Sequence, residues 1–226
     1  MNKLTVSIFA GVALFVAACG NNSSSDKASV AAEQQVAEQQ GEVYILDLDT
    51  TNVSWKAFHK GGFAPRWGTL GIQSGELTVA DDEITSGNFV IDMNSLLVDP
   101  LSVTDGDKKP EDLAGHLKNE DFFDTAKHPT AVFKITQIAD LDADTDSGAV
   151  EGANKMVSGN LTLLDSTVNV SFPAKIAIVD GKASVTANFT VDRAAWGIKF
   201  GTSEADPAEW MISKDFEVGV AVIAAK

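Results

Sequence analysis

Residues 167–192, TVNVSFPAKIAIVDGKASVTANFTVD, alternate between apolar and polar side chains in two runs separated by Asp180–Gly181. In the first run Val168, Val170, Phe172, Ala174, Ile176 and Ile178 alternate with Asn169, Ser171, Pro173 and Lys175. In the second, Ala183, Val185, Ala187, Phe189 and Val191 alternate with Ser184, Thr186, Asn188, Thr190 and Asp192. A period of two puts each apolar set on one face of an extended strand, whereas a helix would scatter it around the circumference. Asp-Gly accepts the positive φ values of a two-residue hairpin turn. The stretch therefore predicts an antiparallel hairpin with one buried and one wet face.

The same period recurs along the chain: Phe89, Ile91 and Met93; Ala131, Phe133 and Ile135; Phe216, Val218, Val220 and Val222. Further runs lie at 43–48, 53–58, 69–79 and 157–164. Eight or more strands separated by turn residues predict an all-β barrel or sandwich. The last strand ends almost at the C-terminus, and pairing it with the first would remove both sheet edges. One segment breaks the alternation. KPEDLAGHLKNEDFFD places Pro110, Glu111 and Asp112 at a helix start, Leu113 and Leu117 four apart and Lys118 near the end, which predicts a short helical insert. The following stretch, HLKNEDFFDTAKHPT, then becomes a helix-to-strand junction, with Phe122 and Phe123 as anchors and its acids as caps on backbone N–H groups.

The N-terminus has a different character. Lys3, an apolar run from Leu4 to Phe15 and the small residues of VAAC at 16–19 read as a signal peptide over residues 1–18, too short to span a bilayer. VAAC resembles the lipobox of bacterial lipoproteins, which makes Cys19, the chain's one cysteine, the expected site of lipidation and membrane anchoring. Gly20 in place of Asp points to the outer membrane of a bacterial cell envelope. Residues 19–42, rich in Ser, Asn, Gln and Ala and free of aromatics until Tyr44, read as a tether with a transient helix at 31–40. The folded domain is expected over 43–226. Removing residues 1–18, whose one charged residue is Lys3, takes the net charge from −15 to −16, a balance that repels phosphate backbones and excludes nucleic acid as a partner.

Four runs carry a family resemblance: SGELTVADDEITSGNFVIDMNSL, LAGHLKNEDFFDTAKHPTAVFKIT, VSGNLTLLDSTVNVSFPAKI and FTVDRAAWGIKFG. In this order they resemble the YceI-like family of bacterial periplasmic and lipoprotein domains, from about Tyr44 to Ala224. His116, Asp121 to Asp124, Pro129–Thr130 and Phe133–Lys134 are the most specific part. The chain departs from the family at LLDSTVNV, where a G-V-T-[KR]-P turn is common, and at GTSEADPAEW. The resemblance implies a lipocalin-like antiparallel β-barrel of about eight strands with a helix beside it. It also implies an elongated apolar cavity that holds a polyisoprenoid chain.

An apolar chain is held by burial at about 0.8 kcal/mol per methylene, with few polar contacts. The inward positions that would line its cavity are Trp55, Phe89, Ile91, Met93, Phe133, Ile135, Val170, Phe172, Val185, Phe189 and Val218. Alternation alone does not separate a hollow barrel from a filled one; Ala174, Ala183, Ala187 and Ala221 are the residues read as leaving space. Lys60, Arg66, His116 and Arg193, with Lys199, are the candidate head-group contacts. His59, His116 and His128 lack a recognised metal spacing, and no metal is expected. No Ser lies in a nucleophile-elbow pattern, so no catalytic residue and no cofactor are assigned beyond a bound polyisoprenoid-like lipid. The alternatives are a non-binding structural barrel and an enzyme that uses His116 as acid/base; a homodimer stays open.

Overall fold

Asp180 and Gly181 both adopt positive φ, 50° and 72°, and turn the chain between β8 (Ser166–Val179) and β9 (Lys182–Asp192) in the register Val179↔Lys182. The computed structural model describes residues 25, 27–104, 106, 108–141, 150–203, 207 and 211–226. The signal peptide read at 1–18 and Cys19 lie outside the described residues. The remaining strands are β1 (Ser29–Ala32), β2 (Glu42–Leu46), β3 (Asn52–His59), β4 (Arg66–Ala80), β5 (Glu83–Val98), β6 (Thr130–Asp140), β7 (Lys155–Leu163) and β10 (Ile212–Ala225). Helix α1 spans Pro110–Lys118, and 3-10 turns lie at Pro100–Ser102 and Arg193–Trp196.

From β4 to β10 each strand pairs antiparallel with the next. β10 then returns to the start, matching Phe216–Ala221 with Asn52–Ala57 of β3 and Ala224–Ala225 with Ile45–Leu46 of β2. β2 and β3 share one position in the wall, since β2 covers Glu76–Val79 of β4 and β3 covers Arg66–Leu70. The result is a closed antiparallel barrel of eight strands, and closure removes the edges that aggregate.

The wall has a seam. Below Ala174, β8 pairs with β9; above it β8 pairs with β7 alone among the barrel strands, and β9 above Ala187 with β10 alone. Residues expected as a tether fill this opening. β1 pairs antiparallel with Val168–Ser171, and Lys27 bridges in parallel to Thr190. Ser25 Oγ lies 2.8 Å from Thr190 Oγ1, Ala28 N donates to Thr190 O at 2.8 Å, and Lys27 Nζ pairs with Asp215 at 2.8 Å. Pro173, which has no N–H to pair, falls between the last residue matched by β1 and the first matched by β9. Farther along, Gln34 N donates to Asn160 Oδ1, Asn160 Nδ2 to Gln34 O, and Ala37 N to Ile135 O. The segment 27–39 is thus an ordered strap. The tether reading and the transient helix at 31–40 fail for it, because backbone pairing to an open strand edge needs no apolar face on the strap.

α1 forms where the sequence places it, with Pro110 in its first turn, Glu111 and Asp112 behind it, and His116 and Lys118 in the last. The capping expectation is corrected. Asn119 Oδ1, not an acid, accepts from Asp121 N, while Asp121 turns to His116 and Asp124 to Lys127. The junction is closed by backbone bonds from Phe123 N to Leu117 O and from Asp124 N to Asn119 O. Phe122 is buried and Phe123 packs on the core.

Candidate functional site

The inward faces enclose a cavity of about 530 Å3, within the roughly 300–1,000 Å3 of small-molecule sites. All eleven apolar positions singled out from the sequence line it: Phe89, Ile91 and Met93 on β5, Phe133 and Ile135 on β6, Val170 and Phe172 on β8, Val185 and Phe189 on β9, Trp55 on β3 and Val218 on β10. Four phenylalanines run across its wall. Phe89 and Phe133 lie 6.2 Å apart, Phe133 and Phe172 6.0 Å, and Phe172 and Phe189 are stacked at 4.0 Å.

Glycines give these rings their place. A Cβ on Gly159 would stand 2.2 Å from Phe133 Cζ, and one on Gly87 or Gly75 would crowd Phe89 at 3.1 Å. The rings of Phe133 and Phe89 thus lie against bare backbone, not across the lumen. The alanines chosen as space-makers do not line the cavity. Ala174 and Ala187 face each other in the β8–β9 pair and Ala183 meets Ala224, all within the packed core, while Ala221 sits on the alternate face of β10 from Val218, Val220 and Val222. Glycine inside a strand marks such a close approach, a signal that the alternation argument leaves unused.

The two ends differ. Leu77, Ile84, Ile176 and Val222 form a floor beside the short β4–β5 and β8–β9 turns. At the other end α1 lies over the lumen, with Asp112, Leu113, His116 and Leu117 lining it together with Phe122 and Phe123. The i, i+4 repeat of Leu113 and Leu117 predicts the helix, and the structure adds that the pair also lines the cavity.

Polar side chains gather at this mouth. Among the described residues, His59, Arg66, Lys108, Lys109, His116 and Arg193 line it together with the acid Asp112. Lys60 does not; its Nζ lies 3.7 Å from Met211 Sδ. Arg66 Nη1 donates to Ser102 O at 2.8 Å and to Pro65 O, tying β4 to the Pro100–Ser102 turn. Arg193 is buried and clamps the β9–β10 connection: Nε donates to Ser213 O, Nη1 to Ile198 O, and Nη2 to Phe200 O and Ile212 O. Its guanidinium stacks 5.6 Å from the Phe122 ring. Burial lowers its pKa from the usual arginine value, and the nearby Asp192 carboxylate works against that shift. Arg193 spends its donors on carbonyls, so its evident work is architectural. Lys108 and Lys109, which the sequence reading passed over, flank the start of α1 at the mouth.

His116 Nε2 lies 3.1 Å from Asp121 Oδ2, and the ring is held edge-on by Phe122 and Phe200 at 5.1 and 5.0 Å. His128 is elsewhere, its Nδ1 3.7 Å from Asp165. Among the described residues no group of three His, Cys, Asp or Glu side chains is placed to hold a metal ion.

Residues 44–224 match the family model of the YceI-like domain. No curated protein matches the sequence. Among solved structures, BcnA of Burkholderia cenocepacia superposes with a TM-score of 0.57 at 17% identity, covering 80% of this chain and 99% of that one. A polyisoprenoid binding domain from Saccharophagus degradans, implicated in plant cell wall breakdown, superposes with a TM-score of 0.51 at 14% identity, covering 84% and 99%.

Proposed function

The chain belongs to the YceI-like domain family, and from that premise we propose that it binds or carries a long apolar lipid of polyisoprenoid type inside the barrel, as an envelope lipoprotein anchored through Cys19. The observation that carries the reading is the lumen: a cavity of about 530 Å3 whose walls and floor are aliphatic and aromatic and whose charged groups gather at one end. Such a site gains affinity from each methylene it removes from water, about 0.8 kcal/mol apiece, and leaves a polar head at the mouth near Arg66, Lys108, Lys109 and His116. The similarity to a polyisoprenoid binding domain supports the same ligand class. The VAAC motif before Gly20 supports anchoring and outer-membrane residence.

Binding fits the mouth better than catalysis. The partners found for His116 are Asp121, Phe122 and Phe200, and no Ser, Thr or Lys side chain hydrogen-bonds it among the described residues. Mass spectrometry of solvent extracts from the purified protein, with a fluorescent polyprenyl analogue as a direct probe, tests the reading. The protein should yield a long-chain lipid and bind the analogue at micromolar concentration. Gly159→Ala, which drives the Phe133 ring off its seat, should weaken binding at least about tenfold while costing about 1–3 kcal/mol of stability. Absence of both lipid and analogue binding in the folded wild type would overturn it.

A further inference from the structure

We infer that the lumen gauges chain length: its closed floor and its volume fit an isoprenoid chain of about four units, and longer polyprenyl chains are selected against. Such a gauge presupposes the lipid-binding reading and narrows its ligand class. Leu77, Ile84, Ile176 and Val222 end the cavity. Ile176 and Val222 both pair with Val185, so these three form one layer across adjacent strands. One alternate position farther from the mouth, Val79, Ala183 and Ala224 follow Leu77, Val185 and Val222. They are buried in the packed core and do not line the cavity. Tyr44, also buried, pairs with Leu77 from β2 and closes the same end. A chain that enters at the mouth therefore stops at the Val185 layer.

Volume and length give the same limit. A cavity of about 150 Å3 takes one benzene ring, so at about 25 Å3 per carbon the lumen's roughly 530 Å3 holds about 20 carbons, or four isoprene units. Val185 in the floor layer and Arg193 at the mouth both line the lumen, eight residues apart on β9 and the position that follows it. At about 3.3 Å per residue and a tilt of roughly 40°, they are about 20 Å apart along the barrel axis. Four head-to-tail isoprene units have about 16 main-chain carbons, which extend over about 20 Å with bonds of about 1.5 Å. Inside the lumen a prenyl carbon exchanges one apolar neighbourhood for another, so its transfer from a bilayer is close to neutral. A methylene left outside, past Lys109 and Asp112 at the mouth, meets water at a cost of about fourfold in the equilibrium constant. A chain of eight units leaves about half its carbons there, and one of four leaves none.

The gauge is tested by competition. Unlipidated protein (Cys19→Ser) is equilibrated with phosphatidylcholine vesicles that hold equal amounts of prenyl alcohols of three, four, five and eight isoprene units. The protein is then separated by size and its solvent extract read by mass spectrometry. The four-unit alcohol should exceed the eight-unit alcohol at least about tenfold. Two floor variants move the stop in opposite directions. Val222→Phe adds about four carbons to the floor layer, close to the five of one unit, and should shift the preferred length from four units to three. Ile176→Ala removes about three carbons and should raise the share of the five-unit alcohol. Thermal melting identifies the variants that fold. Eight-unit chains carried as well as four-unit chains overturn the gauge and leave the lipid-binding reading standing. A length preference unmoved in folded floor variants overturns the gauge as well. No prenyl chain on the folded protein overturns both readings.

Discussion

The two ends of the barrel are held together differently. At the floor β4–β5 and β8–β9 are joined by tight turns at Asp81–Asp82 and Asp180–Gly181, all four residues at positive φ, with apolar, packed side chains behind them, while β6 and β7 are joined there by the longer connection 141–154. Thr78 Oγ1 links to Thr85 and Ser86 across β4 and β5, and Lys155 reaches both Glu83 and Asp140. At the mouth β7 and β8 turn tightly at 164–165, but two connections are long, 99–129 and 193–211, and their order depends on a few polar devices such as the Arg193 clamp and the His116–Asp121 contact. Short turns leave a floor little room to move, whereas long connections can change without disturbing the wall. On the proposed lipid-binding reading, the two long mouth connections are where a ligand would pass, and the packed floor is where the fold is most firmly held.

The largest effect that would test this division is expected at the floor. Leu77 is fully buried at 0% exposure, so Leu77→Ala should lower stability by about 2–5 kcal/mol in urea denaturation. A loss under about 1 kcal/mol would show that the floor is as yielding as the mouth. Next comes Arg193→Met, which removes four hydrogen bonds to carbonyls and should cost about 2–3 kcal/mol. Hydrogen exchange should locate the loosening in residues 193–203 and α1, with β4–β5 protection kept. Uniform loosening would contradict the separation of the ends.

The smallest effect belongs to the floor's surface charges. The Lys155 ammonium, hydrogen-bonded to Asp140, holds that carboxyl below its usual pKa of 3.8, and the bonds from Asp140 and Glu83 raise Lys155 above 10.5. A depressed carboxyl stabilises the fold above its unfolded pKa and loses that contribution as pH falls through the folded value. Asp140→Asn should therefore flatten a slight stability loss below about pH 4. Because the pair is exposed, the change in Tm at pH 7 should stay within about 2 °C. A larger shift would mark the pair as part of the floor's framework.

Much of the wall was legible because strand alternation is a local signal. Val170, Phe172, Val185 and Phe189 declare their face through their neighbours, and Asp180–Gly181 declares its turn. The hollowness was not legible, since the same alternation suits a filled barrel. What seats the Phe133 ring beside the lumen is the bare backbone of Gly159, diagonal to it on the neighbouring strand and more than twenty residues away. The strap is illegible in the sequence for a related reason. Its residues lack an apolar face, and the edge that orders it belongs to β8 and β9. At the mouth, charge was visible but its employment was not: Arg193 faces carbonyls from Ile198, Phe200, Ile212 and Ser213 that only the folded chain brings together.

The strap also sets a schedule for folding. Ser25 meets Thr190 across 165 residues and Gln34 meets Asn160 across 126, so residues synthesised early find their partners in strands synthesised late. Contacts this remote in sequence form late, because a long loop must close before they stabilise anything. The N-terminal segment therefore stays unpaired while the rest of the chain emerges, and it seals the seam only after β8 and β9 are in place. The wall is thus sealed by its own beginning, and its final closure waits for its own far end.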